Sequence, residues 1–395
     1  MFSYRNKLFI DRILGAPALF FLRHLTRLLG HIMRRDHTLP EKPKVVAVAK
    51  ILGLGSIVYT GILCRALKER FPETKLLYVT SIGTSGLVRH MGAVDEVLII
   101  NDKNLPAMIL STTVLILKFW WYRPVLYFDM EVYSSWAAII ATMSLALNRY
   151  GFYRRSSEIK KGMHNFTVFF NTKRHISEIY GQMVLTFGGR PDDNLSGILT
   201  VTDKDREECL RVLEDIGVNI SQTILVHTSA SELLLERRWP PERCIDYLQR
   251  CVRDLPDYTF LLTGVSGDLE YVSSIYYSLP EEARKKVLNV AGKFSIGGFL
   301  ALIEGSCLMV TNDSGPVHLA AALDKPTVSI WGPGDPEHYA PLRGFHKVIY
   351  KQTYCSPCLY HADFTPCKGD NVCVKNITAD EVIKATEGIL KVIKK

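Results

Sequence analysis

Asn312, Asp313, Ser314, Gly315 and His318 stand close together in the chain, and their types suit one task, holding an anion. They lie in residues 308–333, which read LMVTNDSGPVHLAAALDKPTVSIWGP. An apolar run ends at the polar turn 311–315, Pro316 opens an Ala-rich helix, and a second apolar run follows. Such a strand–turn–helix leaves backbone N–H groups unpaired at the helix start, where the dipole also favours negative charge. Pro316 suits the first helical position because its missing N–H is not needed there. The turn is expected to hold a phosphate.

Three further groups could join it. Thr228, Ser229 and Ser231 follow an apolar run and precede Arg237 and Arg238. Hydroxyls and amides of such a loop can accept a diphosphate, and either Arg can neutralise it, unless both are solvated surface charges. Gly53, Gly55 and Ser56 form a Gly-Leu-Gly-Ser turn between an apolar run and a helix. It is neither a phosphate-binding Gly-Lys-Ser/Thr loop nor a full dinucleotide fingerprint, so an ordinary strand–helix turn explains it equally well. Asp129 and Glu131 end a third run, and Asp268 and Glu270 follow a fourth. Nine cysteines are present, five of them in helix or strand patterns. Cys355, Cys358, Cys367 and Cys373 are spaced C-x2-C-x8-C-x5-C, compatible with structural zinc or with a cluster of reduced, redox-sensitive thiols.

Positioning these residues takes alternating strands and helices, and the pattern runs twice. From residue 44, strands are expected at 45–49, 76–80, 97–100 and 125–128, with helices at 57–70 and 176–187. A second series follows a linker at 196–222, with strands at 223–226 and 260–262 and helices at 241–255 and 295–304. The expected fold class is therefore α/β, two Rossmann-like domains facing a central cleft. The expected boundaries are 44–195, 223–378 and a C-terminal helix at 379–395.

Composition agrees with a folded globular protein: 47% of residues are hydrophobic and 22% charged. Residues 1–40 hold seven Lys/Arg against Asp11 and Asp36, so +5 of the formal net charge of +8 lies there. A basic end on a nearly neutral body points to an anionic surface and away from a nucleic-acid groove. The longest uncharged run in this segment, 13–22, is too short to span a bilayer. No convincing cleavage site follows it, which argues against a signal peptide. Apolar and Arg residues at helical spacing make residues 1–43 an expected amphipathic extension lying in a membrane interface, or else a helix packed on the body. Residues 105–122 are expected to form a core or surface helix, with lipid contact by Trp120 and Trp121 as the lesser alternative.

Taken together, these motifs resemble the heptosyltransferases of glycosyltransferase family 9, which have the GT-B fold. The matching pieces are Gly53-Leu54-Gly55, the helix end at 66–72, Val94-Asp95-Glu96-Val97, His227-Thr228-Ser229-Ala230-Ser231, Arg238-Trp239-Pro240 and the segment 312–322. The resemblance covers about residues 44–395. It implies an ADP-activated sugar on the C-terminal domain, an acceptor glycolipid against the N-terminal one, and no catalytic metal or required cofactor. Asp313, Ser314, Gly315 and His318 would hold the diphosphate and its sugar. Arg237 would replace a phosphate-binding Lys, and Asp268 or Glu270 would take a ribose hydroxyl. One departure matters: the family usually has Asp after the Gly-x-Gly turn as catalytic base, and here the position is Ser56. A hydroxyl is a poor base at neutral pH, so Glu131, with Asp129 beside it, is the expected substitute, or else a carboxylate with a structural or acceptor-binding role. The implied reaction is inverting transfer of heptose or a related sugar from a nucleotide diphosphate to lipopolysaccharide core or another glycolipid. The implied place is the cytoplasmic face of a bacterial inner membrane, bound peripherally. The rival readings are a nucleotide-sugar epimerase of similar fold and a non-catalytic nucleotide-sugar or glycan-binding protein.

Overall fold

The computed structural model describes residues 11–154, 160–230, 235–359, 367 and 369–394. The chain divides into two compact units, Met1–Asn194 and Leu195–Lys395.

The first unit opens with a wide helical turn, Asp11–Gly15, and helix α1, Ala16–Met33. It continues through β1 (Val45–Ala49), α2 (Leu54–Arg70), β2 (Lys75–Ser81), β3 (Glu96–Ile100), α3 (Leu105–Tyr122) and β4 (Leu126–Asp129). Helix α4 (Ser135–Met143), β5 (Asn148–Tyr153), β6 (Phe166–Phe169) and α5 (Ile176–Leu185) complete it. All pairings are parallel, in the order β3-β2-β1-β4-β5-β6. Strand β1, Val-Val-Ala-Val-Ala, has no polar alternation because helices cover both sheet faces. On one face Leu115 and Phe119 of α3 and Ile140 and Ala141 of α4 pack with Ala47, Ala49, Leu77 and Tyr127 of the sheet. Helix α1 lies against α4 through Leu19, which is fully buried with Ala138 and Met163. Asp11 fastens the junction by accepting the Ser135 and Trp136 amides at 2.8 Å each, at the start of α4.

The second unit repeats this plan. Its elements are α6 (Asp203–Asp215), β7 (Thr223–His227), α7 (Pro241–Asp254), β8 (Thr259–Thr263), α8 (Leu269–Tyr277), β9 (Val287–Asn289) and α9 (Ile296–Gly305). Then come β10 (Leu308–Asn312), α10 (Gly315–Ala322), β11 (Thr327–Trp331), β12 (His346–Tyr350) and α11 (Ala379–Ile393). The strand order β12-β11-β10-β7-β8-β9, again all parallel, is the first unit's order read from the other edge. Helices α7 and α11 pack together over the sheet, with Tyr247 bonded to Thr386 at 3.2 Å.

Residues 196–222 are not a linker. They belong to the second unit and carry α6, whose start is closed by reciprocal Thr202 and Asp205 bonds. Its charged sequence hides a narrow apolar edge, of which Cys209 and Leu213 are buried. Helix α2 begins three residues ahead of expectation, at Leu54, because Gly53 turns the chain sharply at φ 89°.

In both sheets the order reverses between the first and fourth strand of the unit: β1 beside β4, and β7 beside β10. At such a switch point the chain leaves the two strand ends in opposite directions, and a crevice opens beyond their carboxyl ends. The candidate residues gather at these two places.

Candidate functional site

In the second unit β7 and β10 are neighbours, with His227 level with Thr311. Thr228, Ser229 and Ala230 follow β7 and are buried. Asn312 ends β10 and ties the loops together. Its amide nitrogen donates to the Thr228 carbonyl at 2.7 Å, and its oxygen accepts the Trp239 amide at 3.2 Å. Trp239 is anchored in turn by its indole N–H, 3.0 Å from the Ile377 carbonyl. With its amide committed, Asn312 acts as a clamp beneath the site and leaves ligand contact to its neighbours. Thr228 Oγ1 and Ser229 Oγ, by contrast, are buried and have no hydrogen-bond partner among the described residues. A buried hydroxyl without a partner costs about 1–3 kcal/mol, so two side by side form a place where the oxygens of a bound anion would be accepted.

Helix α10 starts beside them. Ser314 is its N-cap in extended conformation, yet its hydroxyl faces the Asn312 carbonyl (3.3 Å) and Thr311 (3.4 Å) and caps none of the helix amides. The helix start therefore keeps its pull on an anion. Asp313 is buried next to Arg237, whose Nε lies 3.5 Å from Oδ2. Burial raises the Asp313 pKa despite the opposing pull of Arg237. His318, in the first turn of α10, is buried as well. Beneath the loop, His227 bonds to Thr263 at 3.1 Å, and burial pushes its pKa down to about 4. His227, Thr228, Trp239, Thr311 and Asn312 line a cavity of about 10 Å³, roughly the room for one water. Of the ribose candidates, Asp268 is occupied: it accepts the Val265 amide at 3.1 Å and faces Arg238 at 3.4 Å. Arg238 also stacks on Tyr271, 3.9 Å from the ring centre. Glu270 is exposed. Ser231 lies outside the described residues.

In the first unit Ala49 of β1 is level with Asp129 of β4. Here the crevice is filled by the protein's own charges. Glu131 Oε1 accepts the Ile51 and Leu52 amides at 2.8 and 3.0 Å, and Oε2 accepts Lys50 Nζ at 2.8 Å. The pair is buried; burial lowers the Lys50 pKa, but Glu131, with Tyr180 and Asp129 behind it, outweighs that and raises it overall. Asp129, fully buried, bonds His164 Nε2 at 3.0 Å and accepts the Glu131 amide at 3.0 Å. Lys160 Nζ lies 3.8 Å from Asp129 and donates to the Glu131 carbonyl at 2.7 Å. Burial raises the Asp129 pKa, but Lys160 and His164 overcome it and lower the net value. Gly151 makes room for this: a Cβ there would come within 2.6 Å of the His164 ring.

The sequence profile of Glycosyltransferase family 9 (heptosyltransferase) matches residues 131–368, more than half of the chain. The chain belongs to this family. Lipooligosaccharide heptosyltransferase 2 of Haemophilus influenzae is 30% identical over 156 residues, which is 39% of this chain and 44% of that protein. The match thus spans less than half the length of that relative. Two solved structures share the GT-B fold at 20% identity. One is E. coli ADP-heptose lps heptosyltransferase II, with TM-score 0.72, covering 89% of this chain and 100% of that one. The other is a glycosyl transferase family 9 protein from Veillonella parvula, with TM-score 0.76, covering 88% and 98%.

Within this family 9 chain, the structure brings Thr228, Ser229, Arg237, Asp313, Ser314, Gly315 and His318 to one switch point, and Gly53, Gly55, Ser56, Asp129 and Glu131 to the other. The expectation that Glu131 serves as catalytic base meets a physical obstacle. Both Glu131 oxygens are already engaged, by the Ile51 and Leu52 amides and by the Lys50 ammonium, so the carboxylate is held in place inside the protein. Asp129 is shut away by His164 and Lys160. Both are better described as fixing the 50–55 turn. Sequence reasoning missed Lys50, Lys160 and His164, and named Trp239 only as part of a matching motif, without its part in holding Asn312. The one available signal was Lys50, a cation directly after the apolar run of β1. The four late cysteines are free thiols. Among the described residues no group of three or more His, Cys, Asp or Glu is placed to hold a metal. Cys373 is buried; burial first, then its Cys neighbours, pushes its pKa to about 11, which keeps it protonated.

Proposed function

We propose that this chain is an inverting, metal-independent glycosyltransferase that moves heptose or a related sugar from an ADP-linked donor to lipopolysaccharide core or another glycolipid. It would work peripherally at the cytoplasmic face of the inner membrane. The observation that carries the donor half is the pair of unpartnered hydroxyls, Thr228 Oγ1 and Ser229 Oγ, beside the uncapped start of α10. Diphosphate oxygens would satisfy both hydroxyls and the helix amides at once. Arg237 would turn toward the charge that develops as the diphosphate leaves, and Asp313 and His318 would meet the sugar. The acceptor hydroxyl forms its bond to the anomeric carbon as the bond to the diphosphate breaks. The electron pair leaves with ADP, and one proton is released. Family membership and the E. coli structure, whose name carries ADP-heptose, favour that donor over other nucleotide sugars.

Calorimetry with ADP, UDP, GDP and CMP, followed by incubation with ADP-heptose and a core acceptor, tests this reading. Selective ADP binding and a product of one added heptose are expected. Absence of both would sink it. A second reading, donor binding without turnover, draws on Ser56 and on the closed Lys50–Glu131 pair. It predicts ADP binding with no product.

A further inference from the structure

Helices α1 and α3 carry a feature in common that the transfer reaction leaves unexplained. On α1, Phe21, Leu25, Leu28 and Ile32 are all at least half exposed, at 72, 50, 59 and 68%. On α3, Leu110, Val114, Leu117 and Trp121 are exposed at 67, 46, 54 and 84%. Both sets follow the same spacing, i, i+4, i+7, i+11, so each is one unbroken stripe along its helix. Large exposed apolar stripes mark interaction surfaces, and two on one unit are more than scattered surface residues explain.

The helices flank the same neighbour. On one side α4 meets α1 through Ala138 against Leu19 and through the Asp11 cap. On the other, the Trp136 indole of α4 donates to Thr112 of α3 at 3.1 Å, and the Trp120 indole of α3 donates to the Met143 carbonyl at 2.9 Å. Only Thr112, Leu115 and Phe119 of α3 are buried. By length and composition α3 could cross a membrane, but those three residues hold it in the layer covering the sheet. The two striped helices thus both flank α4 within the first unit.

Charge selects the occupant. Residues 12–35 contain five Arg and no acid, and residues 103–128 contain Lys103, Lys118 and Arg123 and no acid. Apolar stripes on helices whose own charges are all cationic fit acyl chains beneath anionic headgroups, whereas a protein surface would bring a share of both signs. We infer that α1 and α3 together form a two-helix surface that seats the first unit in the interface of an anionic bilayer. This extends the glycolipid reading above by making α3 a second anchor beside the N-terminal helix.

Co-sedimentation of the full chain with phosphatidylethanolamine–phosphatidylglycerol vesicles, against pure phosphatidylcholine, tests it. Three variants are compared: Leu117→Ser with Trp121→Ser, Phe21→Ser with Ile32→Ser, and all four changes together. All four side chains are exposed, so the thermal melt should stay at the wild-type value and show that folding is intact. Wild type should bind the anionic vesicles, each double variant at least about tenfold more weakly, and the quadruple variant not at all. Wild-type binding by the α3 variant would overturn the two-helix surface. So would a wild-type dimer in analytical ultracentrifugation that ignores vesicles and dissociates in the variants. Transfer to a water-soluble, deacylated acceptor is assayed in parallel. Its failure with vesicle binding intact would count against the proposed reaction and leave this surface standing.

Discussion

The two switch points have the same topology and opposite contents. In the first unit, the loop amides after β1 point at a carboxylate the protein supplies itself, Glu131 on the neighbouring strand end, with Lys50 closing the charge balance. In the second, the loop after β7 is held by a neutral amide, Asn312, and two buried hydroxyls have no partner among the described residues. A parallel sheet offers an anion-binding crevice wherever its order reverses. The first unit has filled its crevice and gained a rigid turn at Gly53. The second keeps two hydroxyls without a partner among the described residues, at a cost in stability that the proposed diphosphate would offset. The difference teaches that one topology can carry a switch point closed by its own side chains and a twin whose polar groups stay uncommitted, which is where the proposed donor would sit.

The largest expected effect comes from opening the filled one. Glu131→Gln keeps an acceptor for the Ile51 and Leu52 amides but strands Lys50 as an unpaired buried charge. Breaking one partner of a buried pair destabilises by about 3–5 kcal/mol. Denaturant unfolding should show that loss, and Lys50→Met added to Glu131→Gln should restore most of it. ADP affinity should stay unchanged. If Glu131 were the catalytic base, the acid limb of the pH–rate profile would vanish in the variant. An acid limb that persists at lower overall rate identifies a positioning role.

How much of this contrast the sequence discloses depends on the distance between partners. The start of α10 is readable because Ser314, Gly315 and Pro316 are consecutive and their chemistry is local. The Lys50–Glu131 pair is not, because the partners are 81 residues apart and meet only when β1 and β4 pair. Helix α6 reads as a linker in the sequence for a different reason. Its mean composition is polar, and the few apolar positions that fasten it, Cys209 and Leu213, form too narrow an edge to show as periodicity. Asn312 sits within the legible motif, but its role as a clamp depends on bonds to Thr228 and Trp239, 84 and 73 residues away in sequence.

A second test uses pH. His227 lies under the donor loop with its pKa lowered to about 4 from 6.5, and His346 is lowered to about 4 in the same unit, in both cases by burial. A folded pKa below the unfolded one means the unfolded chain binds the proton more readily. Stability is therefore complete above about pH 6.5 and falls as pH drops toward 4, by about 3 kcal/mol for each histidine. His227→Asn should remove about half of this acid loss in unfolding curves taken across that window. An unchanged slope would show that His227 is not held neutral.

Asn312→Ala probes the clamp. It would leave the Thr228 carbonyl and the Trp239 amide without their partner, a loss of about 2 kcal/mol. The loop and the helix start would no longer be held in register, so ADP affinity should drop together with stability. A loss of stability at full ADP affinity would mean that the loop takes no part in binding.

The smallest change separates the two switch points most sharply. Ser229→Ala deletes a buried hydroxyl that has no partner among the described residues. Removing an unsatisfied polar atom lifts a desolvation penalty, so the ligand-free protein should be as stable as wild type or more stable by up to about 1 kcal/mol. ADP binding should nevertheless weaken roughly fivefold, the value of about one hydrogen bond to a charged oxygen. The sign pattern is the point. At the first unit's switch point a substitution lowers stability and spares donor binding; at the second it spares or raises stability and lowers donor binding. Paired unfolding curves and calorimetry on Ser229→Ala and Glu131→Gln measure both signs in one experiment. If Ser229→Ala destabilises the free protein, the hydroxyl has a structural partner and the second crevice is as closed as the first. If it leaves both quantities untouched, the diphosphate seat lies elsewhere than beside α10.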